Sequence, residues 1–535
     1  MAANQADYDY IIVGAGSAGC VLANRLTEDP NTKVLLLEAG GKDSNIWIHI
    51  PAGFTKTMDM PGVNWLFDSE PEPSSGNRPI PIPRGRVLGG SSSINGMLYV
   101  RGHRLDYDGW AQLGNRGWSY DDVLPYFKKS ENRESGGNEY RGSGGPLNVA
   151  EMPEHHELLD AVIDTAEKLG YPRNPDYNGA EQDGFGYFQV TQKRGRRNST
   201  AAAYLKPVLH RPNLTVHINA HTRKVLFEGK RAVGVAYDLN GGPTEARAGR
   251  EVLLCAGAVQ SPQILELSGI GRPELLREHG IEVLHALPGV GENYQDHYVC
   301  RTVQRINKPI TLNEKTRGLP LVGEVLKYAV AGKGALALTA GIVYGFVRSR
   351  SEVASPDIQY HVAHASFKDP KKRIFDKEPG LTIGPCQLRP ESRGTIHIGS
   401  SNPFAPPKIR PNFLTAKTDQ DTLIAGVRIA RKLAQTDPLA SYCVYEDRPG
   451  KDVKTDDEIL DYVRTTGATI YHPVGTCKMG SDPMAVVDAQ LRVHGIEGLR
   501  VVDASIMPLL VSGNTNAPTI MVAEKAADMI KAAAR

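Results

Sequence analysis

Three glycines and one glutamate near the start of the chain have the spacing of a dinucleotide-binding turn. The sequence GAGSAG occupies residues 14–19, and Glu38 lies 19 residues beyond Gly19. In such a turn Gly14 permits the sharp reversal, Gly16 lets the backbone approach a pyrophosphate, and Gly19 lets a helix pack closely on a strand. A carboxylate at the position of Glu38 can accept hydrogen bonds from a ribose diol. These residues predict a dinucleotide site, but they do not distinguish FAD from NAD.

The elements that must position this turn can be recognised on both sides of it. The apolar run at residues 8–13 predicts a buried strand, residues 21–26 a helix, and residues 33–37 a second strand that ends at Glu38. The N-terminus of the helix would offer free N–H groups and a positive potential to phosphates. This order of elements predicts a Rossmann-like α/β unit.

Two further stretches are rich in glycine and serine. The first spans residues 85–99 and predicts a loop whose backbone can approach a ligand closely. The second spans residues 257–271, where Ser261 and Pro262 favour a helix start and Gly269 favours a helix end.

Both stretches resemble the two signature patterns of the glucose–methanol–choline oxidoreductases throughout their length. The resemblance extends from about Tyr8 to about Ile530. Its choline dehydrogenase and aliphatic alcohol dehydrogenase branch is indicated by PGVG at 288–291, QDH at 295–297 and YHPVGTC at 471–477. The resemblance implies FAD as the cofactor. It also implies an α/β (α+β overall) fold, in which a Rossmann-like FAD-binding domain lies beside a substrate domain built on an antiparallel sheet.

The resemblance also implies where FAD would be bound. Ser17 and Ala18 would contact the pyrophosphate, and Glu38 would contact the adenosine ribose. The backbone of Val225 would contact the adenine. Some members link FAD covalently through a histidine at the position of Ile94, which has no nucleophilic atom here, so non-covalent FAD is expected. The remaining implied contacts run along the flavin, its ribityl chain and the phosphates: Trp65, Ser91, Asn95, Gly96, Leu98, Asp503 and Ala504.

Oxidation of an alcohol by a flavin requires removal of the hydroxyl proton and transfer of a hydride to flavin N5. Histidine suits the first step, because its pKa lies near neutrality. The resemblance places the catalytic histidine at His472 and a second catalytic position at Asn516. Asparagine can orient the substrate oxygen but cannot take up the proton, so His472 is the expected base. A predicted helix at residues 519–530 would direct its N-terminus toward the reduced flavin.

The predicted substrate depends on one segment of the chain. Choline-oxidising relatives place a glutamate in the segment that matches Ala340–Phe346, where this chain has no acid and Ile342 aligns with the glutamate. A buried cation without a counter-charge is costly. We therefore expect an uncharged primary alcohol, oxidised to the aldehyde, with a quinone or another carrier favoured over dioxygen as electron acceptor. An alcohol oxidase, a choline dehydrogenase and, from a different class, an FAD-containing lyase remain alternatives.

Composition limits the remaining possibilities. A length of 535 residues exceeds what one hydrophobic core usually serves, so two lobes are expected. The net charge of +2, from 62 basic and 60 acidic residues, does not favour nucleic acid as a partner. The six cysteines are scattered, which indicates neither a disulfide framework nor a metal site. Met1–Gln5 lacks a secretory pattern, so a cytoplasmic enzyme is expected, with peripheral contact to the inner membrane as a variant.

The chain is predicted to divide discontinuously between the lobes. Within the substrate lobe, residues 356–362 and 393–398 are predicted strands, and residues 307–338 form a helical segment that serves as an access lid or a surface contact. The FAD-binding lobe comprises residues 1–155, 215–305 and 470–535, and the substrate lobe residues 156–214 and 306–469.

Overall fold

The apolar run near the chain start forms the middle of the first of two large sheets. In this computed structural model, Tyr8–Val13 pairs in parallel with Val34–Leu37 and with Gly242–Leu254. Ile11 and Ile12 are fully buried, as expected for parallel strands that are covered on both faces. The order of strands in this first sheet is Leu214–His217, Val34–Leu37, Tyr8–Val13, Gly242–Leu254, Arg231–Leu239 and Ala220–Glu228, with Leu499–Val501 also paired to Gly242–Leu254.

The predicted turn connects the first strand to the helix Ser17–Leu26. Gly14 has a φ of +100°, which favours glycine. A Cβ atom on Gly19 would lie 1.9 Å from the carbonyl oxygen of Gly14, so this helix can only pack here because residue 19 has no side chain. The long C-terminal helix Asn516–Ala533 packs beside it.

The second sheet is antiparallel, and its strands lie between Gly184 and Thr469. Its order is Cys443–Arg448, Thr302–Ile306, Gly380–Gln387, Ile358–Ala363, Val343–Val347 and Gly184–Tyr187, and Tyr298–Val299 joins Gly380–Gln387 to Ala468–Thr469. The helix Lys417–Ala434 packs on this sheet, where the Tyr360 hydroxyl donates to the carbonyl of Gly426 at 2.7 Å. The strand predicted at 356–362 is therefore present as Ile358–Ala363.

One sequence expectation needs correction. The strand predicted at 393–398 exists as Thr395–His397, but it pairs with Lys408–Arg410 in a separate hairpin outside the second sheet. The strand Thr302–Ile306 pairs with Gly380–Gln387 in the second sheet, a long-range pairing that local sequence does not reveal. The division into lobes, including the range 215–305, stays a prediction.

The structure describes residues 7–369 and 373–534. Met1–Gln5, where no secretory pattern is predicted, lies outside these residues, as do the outer ends of the predicted ranges 1–155 and 470–535. Within the described ranges, no helix has the length and apolar character required to cross a membrane. The other helices of four or more residues in the described ranges are Ile46–His49, Phe54–Thr57, Gly90–Ser93 (a 3-10 helix), Arg104–Gln112, Tyr120–Ser130, Glu157–Lys168, Ala201–Leu205 (a π-helix), Gly257–Leu267, Pro273–Glu278, Leu312–Lys315, Gly318–Ala331 and Asp456–Thr466.

Candidate active site

A cavity of about 960 Å³ is lined by residues from both sheets. The first sheet contributes Val13 and Leu37 at the carboxyl ends of parallel strands, and the second contributes Val299 and His361. The volume falls within the range of cofactor and substrate sites. Ligands of open α/β sheets bind outside the carboxyl ends of the strands, so the cavity lies where the sequence predicts a dinucleotide.

Helix N-termini meet at one wall of this cavity. Ser17, Gly257 and Asn516 are each the first residue of a helix, and all three line the cavity. The Ser17 hydroxyl donates to Oδ1 of Asn516 at 2.7 Å, which joins two of these helix starts. Unpaired N–H groups and aligned peptide dipoles give this wall a positive potential, which suits a pyrophosphate.

Glu38 directly follows the strand Val34–Leu37 and also lines the cavity. Its Oε2 accepts from the N–H of Ala15 at 3.0 Å, and its Oε1 accepts from the N–H of Gly40 at 2.8 Å. Each oxygen retains acceptor capacity for a ribose hydroxyl. Burial raises the pKa of Glu38 to about 7, so a hydroxyl donor would favour the carboxylate.

Asp503 connects the C-terminal part of the chain to the second glycine-rich stretch. Its carboxylate accepts from the N–H of Gly257 at 2.8 Å and from the hydroxyl of Ser261 at 2.6 Å. The helix therefore begins at Gly257 and not, as the sequence suggested, at Ser261 and Pro262.

Pro262 lies inside this helix, and the carbonyl four residues before it still has a hydrogen-bond donor. A proline has no N–H to donate to the carbonyl four residues earlier, which here is that of Ala258. The hydroxyl of the fully buried Thr476 donates to this carbonyl at 2.6 Å instead. A residue of the YHPVGTC segment thus allows the helix to extend to the cavity.

The glycine-rich loop at residues 85–99 lies against the dinucleotide turn. A Cβ atom on Gly90 would lie 2.7 Å from the Cα of Gly16, so the two glycines permit this contact. Asn95 faces the cavity and its Oδ1 accepts from the buried guanidinium of Arg197 at 2.7 Å. Ile94 also lines the cavity, and it offers no atom that could form a bond to a flavin.

His472 lies on the cavity wall between the sheets and is 8% exposed. The preceding Tyr471 has a φ of +73°, and its carbonyl accepts from the Arg84 guanidinium at 2.5 Å. This left-handed residue turns the chain so that the imidazole faces the cavity. Nδ1 of His472 lies 2.9 Å from Nδ1 of His297, and Nε2 of His472 lies 3.0 Å from Nδ2 of Asn514.

The hydrogen bonds determine which nitrogen of His472 carries the proton. Nε2 of His297 lies 3.0 Å from the carbonyl oxygen of Leu388, which can only accept, so this Nε2 is protonated. In the neutral imidazole Nδ1 of His297 must then accept, and Nδ1 of His472 must donate to it. Nε2 of His472 is therefore unprotonated. Its lone pair faces the cavity and accepts from the amide of Asn514.

Asp296 holds the two histidines together. Its Oδ1 accepts from the backbone N–H of His297 and of His472, both at 2.8 Å. Its Oδ2 accepts from the hydroxyls of Thr469 at 2.5 Å and Tyr294 at 2.9 Å. Burial raises the pKa of Asp296 to about 6 despite these hydrogen bonds. This carboxyl therefore fixes the backbone on both sides of the histidine pair.

The electrostatic setting keeps both histidines neutral. Burial lowers the pKa of His297 to about 4. Burial, with contributions from His297, His361 and Arg84, holds the pKa of His472 well below its ordinary value. His361, on the same wall, has a pKa lowered to about 3 by burial and by nearby Arg301. A neutral His472 at neutral pH is in the state required to accept a proton.

Most of the residues predicted from the sequence line this one cavity. They are Gly14, Gly16, Ser17, Ala18, Glu38, Trp65, Ser91, Asn95, Gly96, Leu98, His472, Asp503, Ala504 and Asn516. Two predicted residues do not: Gly19 serves the packing of its helix, and Val225 is buried with its N–H donated to the Ser268 hydroxyl at 2.9 Å. The strand of Val225 instead contributes Ala220, His221 and Thr222 to the wall.

Asn516, which is predicted to orient the substrate oxygen, does not contact His472, whereas Asn514 does. Asn516 Oδ1 accepts from Ser17, whereas Asn514 contacts His472. The cause is the helix boundary, because Asn516 is already the first helical residue and its side chain faces the neighbouring helix start. Sequence reasoning also assigned no role to His297, His361 or Arg301. The signal for His297 was the QDH segment at 295–297, which carried part of the family resemblance.

An α/β protein with a dinucleotide-type turn and a buried histidine pair at one cavity matches a known family. The model of the GMC oxidoreductase family matches residues 8–299 with its N-terminal part and residues 390–523 with its C-terminal part. The chain belongs to the GMC oxidoreductase family. It is accordingly an FAD-dependent enzyme that oxidises CH–OH groups.

Individual relatives align over nearly the whole chain. Mitochondrial choline dehydrogenase of Mus musculus is 46% identical over 537 residues, which cover 98% of this chain and 89% of the relative. An oxygen-dependent choline dehydrogenase of Escherichia coli is also 46% identical, covering 98% and 94%. The crystal structure of pyridoxine 4-oxidase from Mesorbium loti superposes with a TM-score of 0.88 at 32% identity, covering 98% of this chain and 99% of that one.

Proposed function

We propose that this enzyme oxidises an uncharged primary alcohol to the aldehyde, with His472 as the base and a quinone as electron acceptor. The observation that carries the proposal is the hydrogen-bond chain that leaves the Nε2 lone pair of His472 facing the cavity. A lyase would need no acceptor for a hydride, and no feature of the described site favours it over oxidation.

The residues of the cavity fit FAD. The helix starts at Ser17 and Asn516 would hold the pyrophosphate, and Glu38 would hold the adenosine ribose. The loop around Asn95 would lie along the flavin and, with Ile94 at the covalent-link position, FAD would bind non-covalently. When bound, FAD supplies the acceptor for the hydride.

His472 and Asn514 would act together on the alcohol. The substrate hydroxyl donates its proton to Nε2 of His472, and it takes the position now held by the Asn514 amide. That amide, 3.0 Å from Nε2, can then donate to the substrate oxygen and stabilise the negative charge that develops on it. The Gln359 amide donates to Oδ1 of Asn514 at 3.4 Å, which orients Nδ2 toward this oxygen. As His472 becomes protonated, its Nδ1–H bond to His297 is retained.

The charges around the histidines disfavour a cationic substrate. Of the segment Ala340–Phe346, only Ala340 lines the cavity, and Ile342 is buried behind it. The guanidinium-bearing Arg301 and Arg84 both line the cavity on the side of His361 and His472. A quaternary ammonium beside these arginines would be repelled. Choline is still the second candidate, because the relatives at 46% identity are choline dehydrogenases.

Anaerobic reduction of the bound flavin tests the proposal directly. We expect neutral primary alcohols to bleach the flavin absorbance, and choline to do so much more slowly. His472→Ala should retain FAD and slow bleaching by about 10²- to 10⁴-fold, the usual contribution of a general base. His494→Ala is a matched control, because His494 does not line the cavity and its side chain hydrogen-bonds to the carbonyl of Gly480.

The outcomes separate the candidates. Faster bleaching by choline than by any neutral alcohol would identify a choline dehydrogenase and contradict the substrate proposed here. Unchanged bleaching in His472→Ala would contradict the role of that residue. Rapid reoxidation on admission of air, compared with reoxidation by a soluble quinone analogue, would identify dioxygen as the acceptor.

A further inference from the structure

The helix Gly318–Ala331, called the outer helix, exposes an unusual amount of apolar surface. None of its residues is buried. Leu319 and Val330 are 87% and 88% exposed, and Val322, Val325 and Leu326 are 55%, 44% and 61% exposed. Leu319, Val322, Leu326 and Val330 follow each other at spacings of three and four residues, so they form one stripe along the helix.

The polar residues of the outer helix face the protein instead. Glu324 accepts from the N–H of Ala335 at 2.6 Å, and the Tyr328 hydroxyl donates to the carbonyl of Gly195 at 3.1 Å. Lys327 forms an ion pair with Glu154. These contacts are the reverse of those made by an ordinary surface helix, whose apolar side faces the core. The helix is therefore held to the protein by polar contacts, and its apolar stripe remains without a partner among the described residues.

Basic residues lie at both ends of the outer helix. Lys315 and Arg317 precede the outer helix, and Lys333 follows it. The hairpin of Gln192–Lys193 and Arg196–Arg197, called the basic hairpin, packs at the end of the helix through Gly195 and exposes Lys193, Arg194 and Arg196. An apolar stripe with a cationic border is the pattern of helices that lie in the headgroup region of an anionic bilayer.

We propose that the outer helix and the basic hairpin form a docking surface for an anionic lipid bilayer. The apolar stripe would enter the boundary between headgroups and acyl chains, and the cations would contact the headgroups. A second copy of this chain is a poorer occupant, because symmetric contact would bring two sets of these cations together.

The surface lies next to the cavity. The turn Ala335–Ala337 follows the outer helix and packs on Pro51–Gly53. The next helix, Phe54–Thr57, contributes Phe54 and Thr55 to the cavity wall, and Ala340 lines it from the other side. As far as it concerns electron transfer, the inference rests on the proposed function: a bilayer at this surface would bring a membrane-dissolved quinone close to the cavity. Docking itself requires no particular acceptor.

Flotation with lipid vesicles tests the docking surface. The FAD-loaded protein is mixed with vesicles of phosphatidylcholine containing 30% phosphatidylglycerol, or of phosphatidylcholine alone. We expect binding to the anionic vesicles, weakened at high salt because the lipid contacts are partly ionic. The triple variant Leu319→Ser, Leu326→Ser, Val330→Ser should partition at least tenfold less. The variant Lys193→Gln, Arg194→Gln, Arg196→Gln should lose the preference for anionic vesicles.

A control substitutes three exposed apolar side chains elsewhere on the surface. Leu113, Leu209 and Phe404 are 52%, 47% and 56% exposed, and their triple substitution by serine should leave vesicle binding unchanged. Alcohol oxidation with a soluble electron acceptor should be unchanged in all variants, which separates loss of docking from loss of fold or of the proposed function.

Three results would overturn the inference. The first is wild-type protein that does not float with anionic vesicles, and the second is a Leu319→Ser, Leu326→Ser, Val330→Ser variant that floats as well as wild type. The third is a wild-type dimer in light scattering that this outer-helix variant converts to a monomer, because the stripe would then be covered by a second copy.

Discussion

His297 decides what His472 can do, although it does not reach the cavity itself. The carbonyl of Leu388, 91 residues along the chain, determines the protonated nitrogen of His297. His297 in turn determines the protonated nitrogen of His472. Family position could predict the base, but its tautomer depends on a carbonyl from a distant strand end, which no local pattern reveals. The contact of Asn514 with His472 was missed for another reason, because it depends on where the C-terminal helix begins.

We expect His297→Leu to lower the rate of flavin reduction by roughly 10- to 100-fold. The hydrogen bond to the protonated His472 is lost, and such a bond to a charged group contributes about 1.5–3 kcal/mol. His297→Asn should stay within a few-fold of wild type, because Oδ1 of asparagine can replace Nδ1 as acceptor. Stopped-flow reduction under anaerobic conditions measures both rates.

The pH profile distinguishes this positioning role from a merely structural one. Neutral His297 accepts from Nδ1–H of His472 and so favours the protonated form of His472, and a base is active above its pKa. In His297→Leu the pKa of His472 should therefore fall, and the lower limb of the kcat/KM profile should move to lower pH. Equal rates for the leucine and asparagine variants, with an unmoved limb, would show that His297 acts only through packing.

At the scale of elements, the helix Gly257–Leu267 depends on a residue from another part of the chain. Local sequence signals placed its start at Ser261 and Pro262, since proline favours the first turn. Thr476 and Asp503 override that preference by satisfying the carbonyl of Ala258 and the N–H of Gly257. The helix itself was predictable, whereas the extra turn that reaches the cavity was not.

Thr476→Val should destabilise the protein by about 1–3 kcal/mol, because it leaves the buried carbonyl of Ala258 without a donor. FAD affinity should fall with it, since the helix start lines the cavity. Denaturant unfolding and FAD titration measure the two effects. Thr436→Val is the control, because that hydroxyl donates at 2.8 Å to the carbonyl of Lys432 in an exposed position, just after the end of the helix Lys417–Ala434. Equal losses in both variants would contradict a specific role for Thr476.

At the scale of the whole molecule, residues from both sheets line one cavity. The α/β class and the antiparallel second sheet were predictable from strand and turn patterns together with the family resemblance. The path of the chain near His297 was not predictable, because it depends on pairing between strands far apart in sequence.

Removal of FAD should lower the melting temperature, since the cofactor would connect walls from both sheets. A thousand-fold excess of a ligand over its Kd stabilises the folded state by about 4 kcal/mol. Differential scanning fluorimetry of protein stripped of flavin, then titrated with FAD, measures the shift. A melting temperature that does not respond to FAD would contradict the proposed cofactor contacts, and riboflavin at equal concentration controls for binding of the ring alone.

The histidine pair has a further consequence for each turnover. The hydrogen-bond chain behind His472 ends at the carbonyl of Leu388, and a peptide carbonyl cannot carry a proton onward. A proton taken by His472 thus has no exit through the protein interior by this route. It must leave through Nε2, the side by which it arrived. The proton and the aldehyde then both leave on the Nε2 side of His472. His472 therefore returns to its neutral form only after the aldehyde has left that side.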